Sequence, residues 1–261
     1  MASEHFQILD EKDEALAGII ETEHPKKRQP AVIFMNGFLD TLDSARKKQI
    51  AEMLQKDGFV TVRFDYTFGF GGGSGDVSNF TLSSQVQDAQ RVIDYATRRG
   101  YVNPDKVIVF GHCFGGMAAI LLSAFDERVK AVITLSTPYD FGDTRLTRMG
   151  NHEMARIQLK RYFHIYSEAL SKEVRVDYKF FEDGLKKDMA RAVRNLKQPV
   201  LIIHGRKDES IPVANAQEIY DRVAGPRELY VVETMEHHPT LKEAKEFYPV
   251  VRQFLKQHLK V

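Results

Sequence analysis

Three observations predict an α/β fold with a mostly parallel central sheet and helices on both faces. Short apolar runs rich in β-branched residues, such as Ala31–Met35, Val107–Phe110 and Val129–Leu135, lack the alternation of a half-exposed strand and read as strands covered on both sides. Helical stretches separate these runs, as crossovers between parallel neighbours require. The run VIVF also passes straight through Gly111-His112-Cys113-Phe114-Gly115-Gly116 into MAAILLSAF, a helix-compatible segment. A strand that stops at a reactive side chain and turns at once into a helix has the form of a nucleophile elbow.

The apex of that turn is Cys113. Gly111 and Gly115 flank it two residues away on either side, where a side chain collides as the turn closes. The turn lifts the sulfur above the sheet edge, beside the N–H of Phe114 and the amino end of the following helix. Those donors favour a thiolate and an oxyanion. A lone cysteine is more commonly a small buried hydrophobe, so the chemical reading depends on the rest of the chain.

Size and composition narrow the classes. A chain of 261 residues, 28% charged and 43% apolar, is ordinary for a globular protein with a substantial core. It reads as a single domain, 1–261, with a cap inserted at about 139–197. A net charge of +1 without a long block of one sign argues against a nucleic-acid or membrane-surface partner. One cysteine rules out an intrachain disulfide framework and suits a reducing compartment. The first residues, MASEHFQILDEKDE, are acidic where a secretory leader is basic and then apolar. No stretch approaches the roughly 18 uncharged apolar residues of a membrane span. The expectation is a cytoplasmic protein; whether it is a homodimer stays open.

Along the chain, Phe6–Leu9 and Ala15–Glu21 predict an antiparallel start. Ala31–Met35 follows, then a helix capped near Asp43 or Ser44 and ending before Gly58, and a strand over Phe59–Tyr66. A glycine-rich loop, FGFGGGSGD, precedes a helix over Leu82–Arg99. After the elbow helix and Val129–Leu135 the alternation breaks down. Helical periodicity covers Met154–Leu170, and VRVDYKFF reads as a short β excursion. Alternation then resumes with VLIIHG as a strand, Val213–Val223 as a helix, Glu228–Glu233 as a strand and Leu241–Leu259 as a final amphipathic helix.

In such a sheet, function collects at the carboxyl ends of the strands. Two further chemistry-bearing residues fall there in the order acid, then base: Asp208 after VLIIHG, and His237 after the last strand. Asp208 can accept from one nitrogen of His237 and leave the other for the sulfur. His238 rivals His237, although Pro239 restricts its backbone to extended conformations. An acyl-transfer site also needs two oxyanion donors; the N–H groups of Phe114 and of Phe38, in the Asn36-Gly37-Phe38-Leu39-Asp40 loop, are the candidates. The glycines between Gly69 and Gly75 match neither G-x-G-x-x-G nor a phosphate loop, and read as a flexible loop at the site's mouth. No cofactor and no metal-ligand spacing is apparent.

Taken together, Asn36-Gly37-Phe38, Phe64-Asp65-Tyr66 with the glycine loop, Gly-His-Cys-Phe-Gly-Gly, His-Gly-Arg-Lys-Asp and Glu-His resemble the α/β-hydrolase superfamily over nearly the whole chain. The nearest flavour is similar to small cinnamoyl/feruloyl-type esterases. That resemblance implies Cys113 as nucleophile, Asp208 as acid, His237 as base and Phe38 and Phe114 as oxyanion hole. Asn36 stands where that type usually has His, and cysteine where it usually has serine. Dienelactone hydrolases are similar in using Cys with His and Asp. The implied activity is hydrolysis of carboxylic esters with small to medium apolar or aryl acyl groups, through an acyl-cysteine. The alternatives are a lactonase or thioesterase, a serine esterase carrying a Ser→Cys replacement, and a non-catalytic ligand-binding protein of this fold. Gly37, Leu39, Tyr139, Tyr162, Tyr166 and His238 are expected against the ester or lactone substrate. The cap is rich in further side chains for packing or pocket, including Phe141, Met149, Met154, Phe163, Phe180 and Phe181.

Overall fold

The computed structural model describes residues 2–144, 147, 150–167 and 170–259; Met149 lies outside the described residues. The main sheet has eight strands in the order β1-β2-β4-β3-β5-β6-β9-β10. They are β1 (Ala2–Leu9), β2 (Ala15–Thr22), β3 (Gln29–Met35), β4 (Val60–Asp65), β5 (Val102–His112), β6 (Val129–Leu135), β9 (Val200–Gly205) and β10 (Arg227–Val232). β1 pairs antiparallel with β2, and β2 antiparallel with β4; the remaining neighbours are parallel. The all-buried pattern of β4 and β9 is what strands covered on both faces require.

One face of the sheet is covered by α1 (Ala45–Lys56) and α8 (Leu241–Leu259). The other is covered by α2 (Leu82–Thr97) and α3 (Phe114–Ser123). α2 begins with a capping box, in which Thr81 accepts from the Ser84 N–H while Ser84 receives the Thr81 N–H; two otherwise orphaned donors are thereby satisfied. α3 is apolar nearly all round because it is sandwiched between the sheet and neighbouring helices, as such a helix must be. Among the described residues, no helix is long and apolar enough to cross a membrane.

Between β6 and β9 the chain forms α4 (Asn151–Lys160), an antiparallel hairpin of β7 (Tyr162–Ser167) and β8 (Lys172–Asp177), then α5 (Lys179–Leu185) and α6 (Met189–Asn195). Here the sequence reading needs two corrections. The helix expected over Met154–Leu170 stops at Lys160, where Arg161 turns left-handed at φ 66°. Tyr162–Ser167, rich in β-formers, then pairs with β8, because strand pairing overrides a weak helical period. Conversely, Lys179–Phe181 of the expected β excursion open α5. A third difference is that β5 begins at Val102 rather than Val107, because Val102 already pairs with Gln29 before the register shifts. α7 (Ala214–Arg222) joins β9 to β10.

Candidate active site

The elbow at the end of β5 places Cys113 at φ 53° and ψ −123°, a left-handed conformation unfavourable for a residue with a Cβ. Close packing on both sides holds it there. A Cβ on Gly111 would come 2.3 Å from the Gly115 carbonyl oxygen, and one on Gly115 would come 2.2 Å from the Met35 oxygen. The glycines therefore let the amino end of α3 press against the exit of β3. The Cys113 N–H donates to the Leu135 carbonyl at 3.0 Å, tying the turn to β6. The side chain is 8% exposed.

The loops after β9 and β10 bring two more groups to this point. His237 Nδ1 donates to Asp208 Oδ2 at 2.8 Å, and the His237 ring lies close enough to Cys113 to interact with it electrostatically. The three side chains thus follow one another in the order sulfur, imidazole, carboxylate. Asp208 Oδ1 accepts the backbone N–H of Ser210 at 2.9 Å and of Ile211 at 2.8 Å. Burial works against its charge, but the His204 ring beside it and the hydrogen bond from His237 hold the carboxyl well below the usual carboxylate range. Burial also opposes charge on His237. The neighbouring Cys113 and the hydrogen bond to Asp208 outweigh it, and His237 is pushed up to about 10.

His238 does not take this position. Its ring lies 4.8 Å from those of both His112 and His237. Partial desolvation of its ring, then the Arg46 and His237 charges, push it down to about 4. His112 is buried and donates from Nε2 to the His237 carbonyl at 3.1 Å; burial and the two neighbouring imidazoles hold it neutral. The sequence displays no metal-ligand spacing, yet the fold gathers His112, His237 and His238 with one ring nitrogen each within 4.8 Å of the others. Within that cluster His237 Nδ1 is already engaged by Asp208 and its ring lies beside Cys113.

The second loop at the site runs from Asn36 to Leu42. Gly37 packs against the elbow, where a Cβ would meet the Cys113 Cβ and the His112 oxygen at 3.1 Å. Leu39 turns left-handed at φ 64°. Among the described residues, neither the Phe38 nor the Phe114 N–H donates to another protein group. Two free donors from adjacent loops, one heading a helix, can receive a developing oxyanion. The Phe38 ring stacks on Phe180 of α5 at 5.0 Å, and Phe114 meets Phe141 at 5.3 Å. Phe141, Phe163, Phe180 and Phe181 are buried and pack the insertion onto the body.

Other expected substrate contacts are distributed differently. The Tyr139 N–H donates to Asn215 Oδ1, and its ring lies under the Arg222 guanidinium. Tyr162 and Tyr166 sit on the outer face of the β7–β8 hairpin, where Tyr162 meets Arg175 and Tyr166 is exposed. The alternation of the strand sends Phe163 inward instead, so the structure does not bring these two tyrosines to Cys113. Two partners escaped the sequence reading. His204, wholly buried on β9, donates from Nε2 to the Ile211 carbonyl at 2.9 Å and lies 3.4 Å from Asp208 Oδ2. Lys47 is buried under the Asn36–Leu42 loop. A polar residue inside an all-buried strand is a signal that could have found His204; a lysine among the polar residues of α1 carries no such mark.

Comparison with known proteins bears on the fold. Mouse palmitoyl-protein thioesterase ABHD10, mitochondrial, is 24% identical over 204 residues, 77% of this chain and 66% of that protein. The human protein of that name is 23% identical over 199 residues, 76% of this chain and 63% of its own. The chain thus spans less than two thirds of the length of these relatives. Among solved structures, Est1E from Butyrivibrio proteoclasticus with ferulic acid bound superposes with a TM-score of 0.82 at 18% identity, covering 98% of this chain and 100% of that one. The α/β hydrolase GrgF from Penicillium sp. sh18 gives 0.84 at 18% identity, with both chains covered fully. A family model described as alpha/beta hydrolase fold matches residues 30–172, more than half of the chain, and the chain therefore belongs to the α/β-hydrolase fold family.

Proposed function

We propose that this protein hydrolyses carboxylic esters with small to medium apolar or aryl acyl groups through a covalent acyl-Cys113 intermediate. One observation carries the reading: Cys113 at a left-handed elbow lies beside an imidazole that is hydrogen-bonded to Asp208. In this reading His237 takes the proton of the Cys113 thiol, Sγ attacks the acyl carbon, and the carbonyl π electrons move onto oxygen. The N–H groups of Phe38 and Phe114 receive that oxyanion. Collapse expels the leaving alkoxide, which takes the proton from His237. His237 then removes a proton from water, the resulting hydroxide attacks the thioester carbon, and thiolate departs as the acid forms. Asp208 holds the ring in the tautomer that both half-reactions use.

A second reading, thioester hydrolysis, is favoured by the name of the mouse and human relatives. Attack of one thiolate on the thioester of another exchanges like for like, so acylation carries little thermodynamic cost. Both readings share the acyl-enzyme. The test is intact-protein mass after brief exposure to p-nitrophenyl acetate and, separately, to an acetyl thioester. The expected result is an acetyl-sized gain on Cys113 with continuing product release, absent in Cys113→Ala. Undiminished turnover by Cys113→Ala overturns the mechanism. Binding of either compound with neither adduct nor product points to a ligand-binding protein instead.

A further inference from the structure

The loop that presents the Phe38 N–H is held from beneath by a single buried ammonium. Lys47, in the first turn of α1, is 6% exposed, an unusual situation for a lysine. Its Nζ has three protons to donate and three acceptors, all in the loop or at its start. They are Asn36 Oδ1, the Thr41 carbonyl at 2.6 Å, and the Asp40 carboxylate at 3.1 Å. Residues 36, 40 and 41 bracket Gly37, Phe38 and Leu39, the segment that turns left-handed at Leu39 and lies on the elbow.

The same loop is fastened from the opposite side by Asp65. Asn36 Nδ2 donates to the Phe64 carbonyl at 2.7 Å and to Asp65 Oδ1 at 3.3 Å, and the Leu42 N–H donates to Asp65 Oδ1 at 2.8 Å. Both ends of the loop are therefore pinned by an ion buried in α1 and an ion at the end of β4. A charge taken out of water is tolerated only when its hydrogen-bonding capacity is met, and here it is met almost wholly by the loop. Such a site costs stability unless it fixes something, and what it fixes is the position of residues 37–39.

We propose that Lys47 is a positioning residue for the oxyanion hole: through Asn36, Asp40 and Thr41 it sets where the Phe38 N–H points relative to Cys113 Sγ. This inference rests on the acyl-cysteine reading above. It predicts a selective defect, because acylation builds charge on an oxygen that needs the Phe38 donor. Alkylation of the same sulfur by iodoacetamide needs none, since the sulfur–carbon bond forms as iodide leaves with its electron pair.

The experiment compares wild type, Lys47→Met and Lys47→Arg by two rates on Cys113, acetylation by p-nitrophenyl acetate and alkylation by iodoacetamide. Displacement of a reacting group by about 1 Å costs on the order of 10²-fold, similar to removal of one oxyanion donor. Lys47→Met is expected to lose about 10²-fold in acetylation with alkylation changed less than about threefold, and Lys47→Arg to recover part of the loss. If Lys47→Met does not fold, Asn36→Ala serves the same comparison. It removes one of the three acceptors while leaving the ammonium bound to Thr41 and Asp40, and the same selective loss is expected. Equal loss in both reactions, or unchanged acetylation, overturns the positioning role. A wild type that is alkylated at Cys113 but never acylated overturns the acyl-cysteine reading, and the inference with it.

Discussion

Asp208→Asn is the sharpest test of the arrangement Cys113–His237–Asp208, because the structure dictates which way the new amide must face. Asp208 Oδ1 accepts two backbone N–H groups, from Ser210 at 2.9 Å and Ile211 at 2.8 Å. Turning an NH2 toward those donors would leave both unpaired, so the amide oxygen stays on that side. The amide nitrogen then takes the place of Oδ2, 2.8 Å from His237 Nδ1 and 3.4 Å from His204 Nε2. Donor now faces donor. His237 relieves the conflict by leaving Nδ1 unprotonated, so that its N–H sits on the other nitrogen, aimed at the sulfur, and the base is lost. The charge that helps hold His237 up at about 10 is lost as well. The corresponding change in a serine-protease triad costs about 10⁴ in rate, and each tenfold is about 1.36 kcal/mol. The expected loss in acylation of Cys113 is therefore about 10³–10⁴-fold, roughly 4–5.5 kcal/mol of barrier. The assay is the rate of acetyl transfer from p-nitrophenyl acetate followed by intact mass, with thermal unfolding run in parallel. A folded variant that loses less than about tenfold refutes the claim that Asp208 orients the base.

Three further outcomes follow from the same geometry. Cys113→Ser, assayed beside Cys113→Ala, is expected to keep a measurable acyl adduct because the elbow and both oxyanion donors remain, whereas Cys113→Ala gives none. Gly115→Ala places a Cβ 2.2 Å from the Met35 oxygen and 2.5 Å from the Asn36 oxygen. Those are backbone atoms that cannot swing aside, so urea unfolding should register about 1–3 kcal/mol of destabilisation together with slowed acylation. Stability should also fall between pH 7 and pH 5. His112 is buried neutral, and its folded-state value is lowered well below 6.5. In that window the unfolded chain binds the proton that the folded chain refuses, and stability is lost as pH falls. His238, lowered to about 4, acts in the same direction; His237, raised to about 10, acts in the opposite one. The measurement is therefore the difference in urea midpoint shift between wild type and His112→Gln, which should be less acid-sensitive; equal sensitivity refutes the assignment.

Much of the fold is legible in the chain because its elements obey local rules. The run VIVF has no polar face, and β5 lies buried in the middle of the sheet. The spacing of apolar residues over Leu241–Leu259 predicts a helix with the bounds that α8 has. The insertion is where such rules fail. Tyr162–Ser167 satisfies a helical period and a strand propensity equally, and pairing with Lys172–Asp177 decides the matter. That pairing also turns Tyr162 and Tyr166 outward, which no count along the chain reveals.

The architecture, the elbow around Cys113, and the order in which Asp208 and His237 follow it are legible along the chain. Each depends on patterns spanning only a few residues: strand composition, glycines two positions from the apex, and polar groups just beyond strand ends. Tertiary structure alone decided that His237 rather than His238 lies between Cys113 and Asp208, and that His204 stands beside that carboxylate. It also decided that Lys47 holds the loop carrying Phe38. Those choices depend on where residues far apart in sequence meet in space and on which charges lose their water there. Burial and proximity acquire values only once the chain has closed on itself.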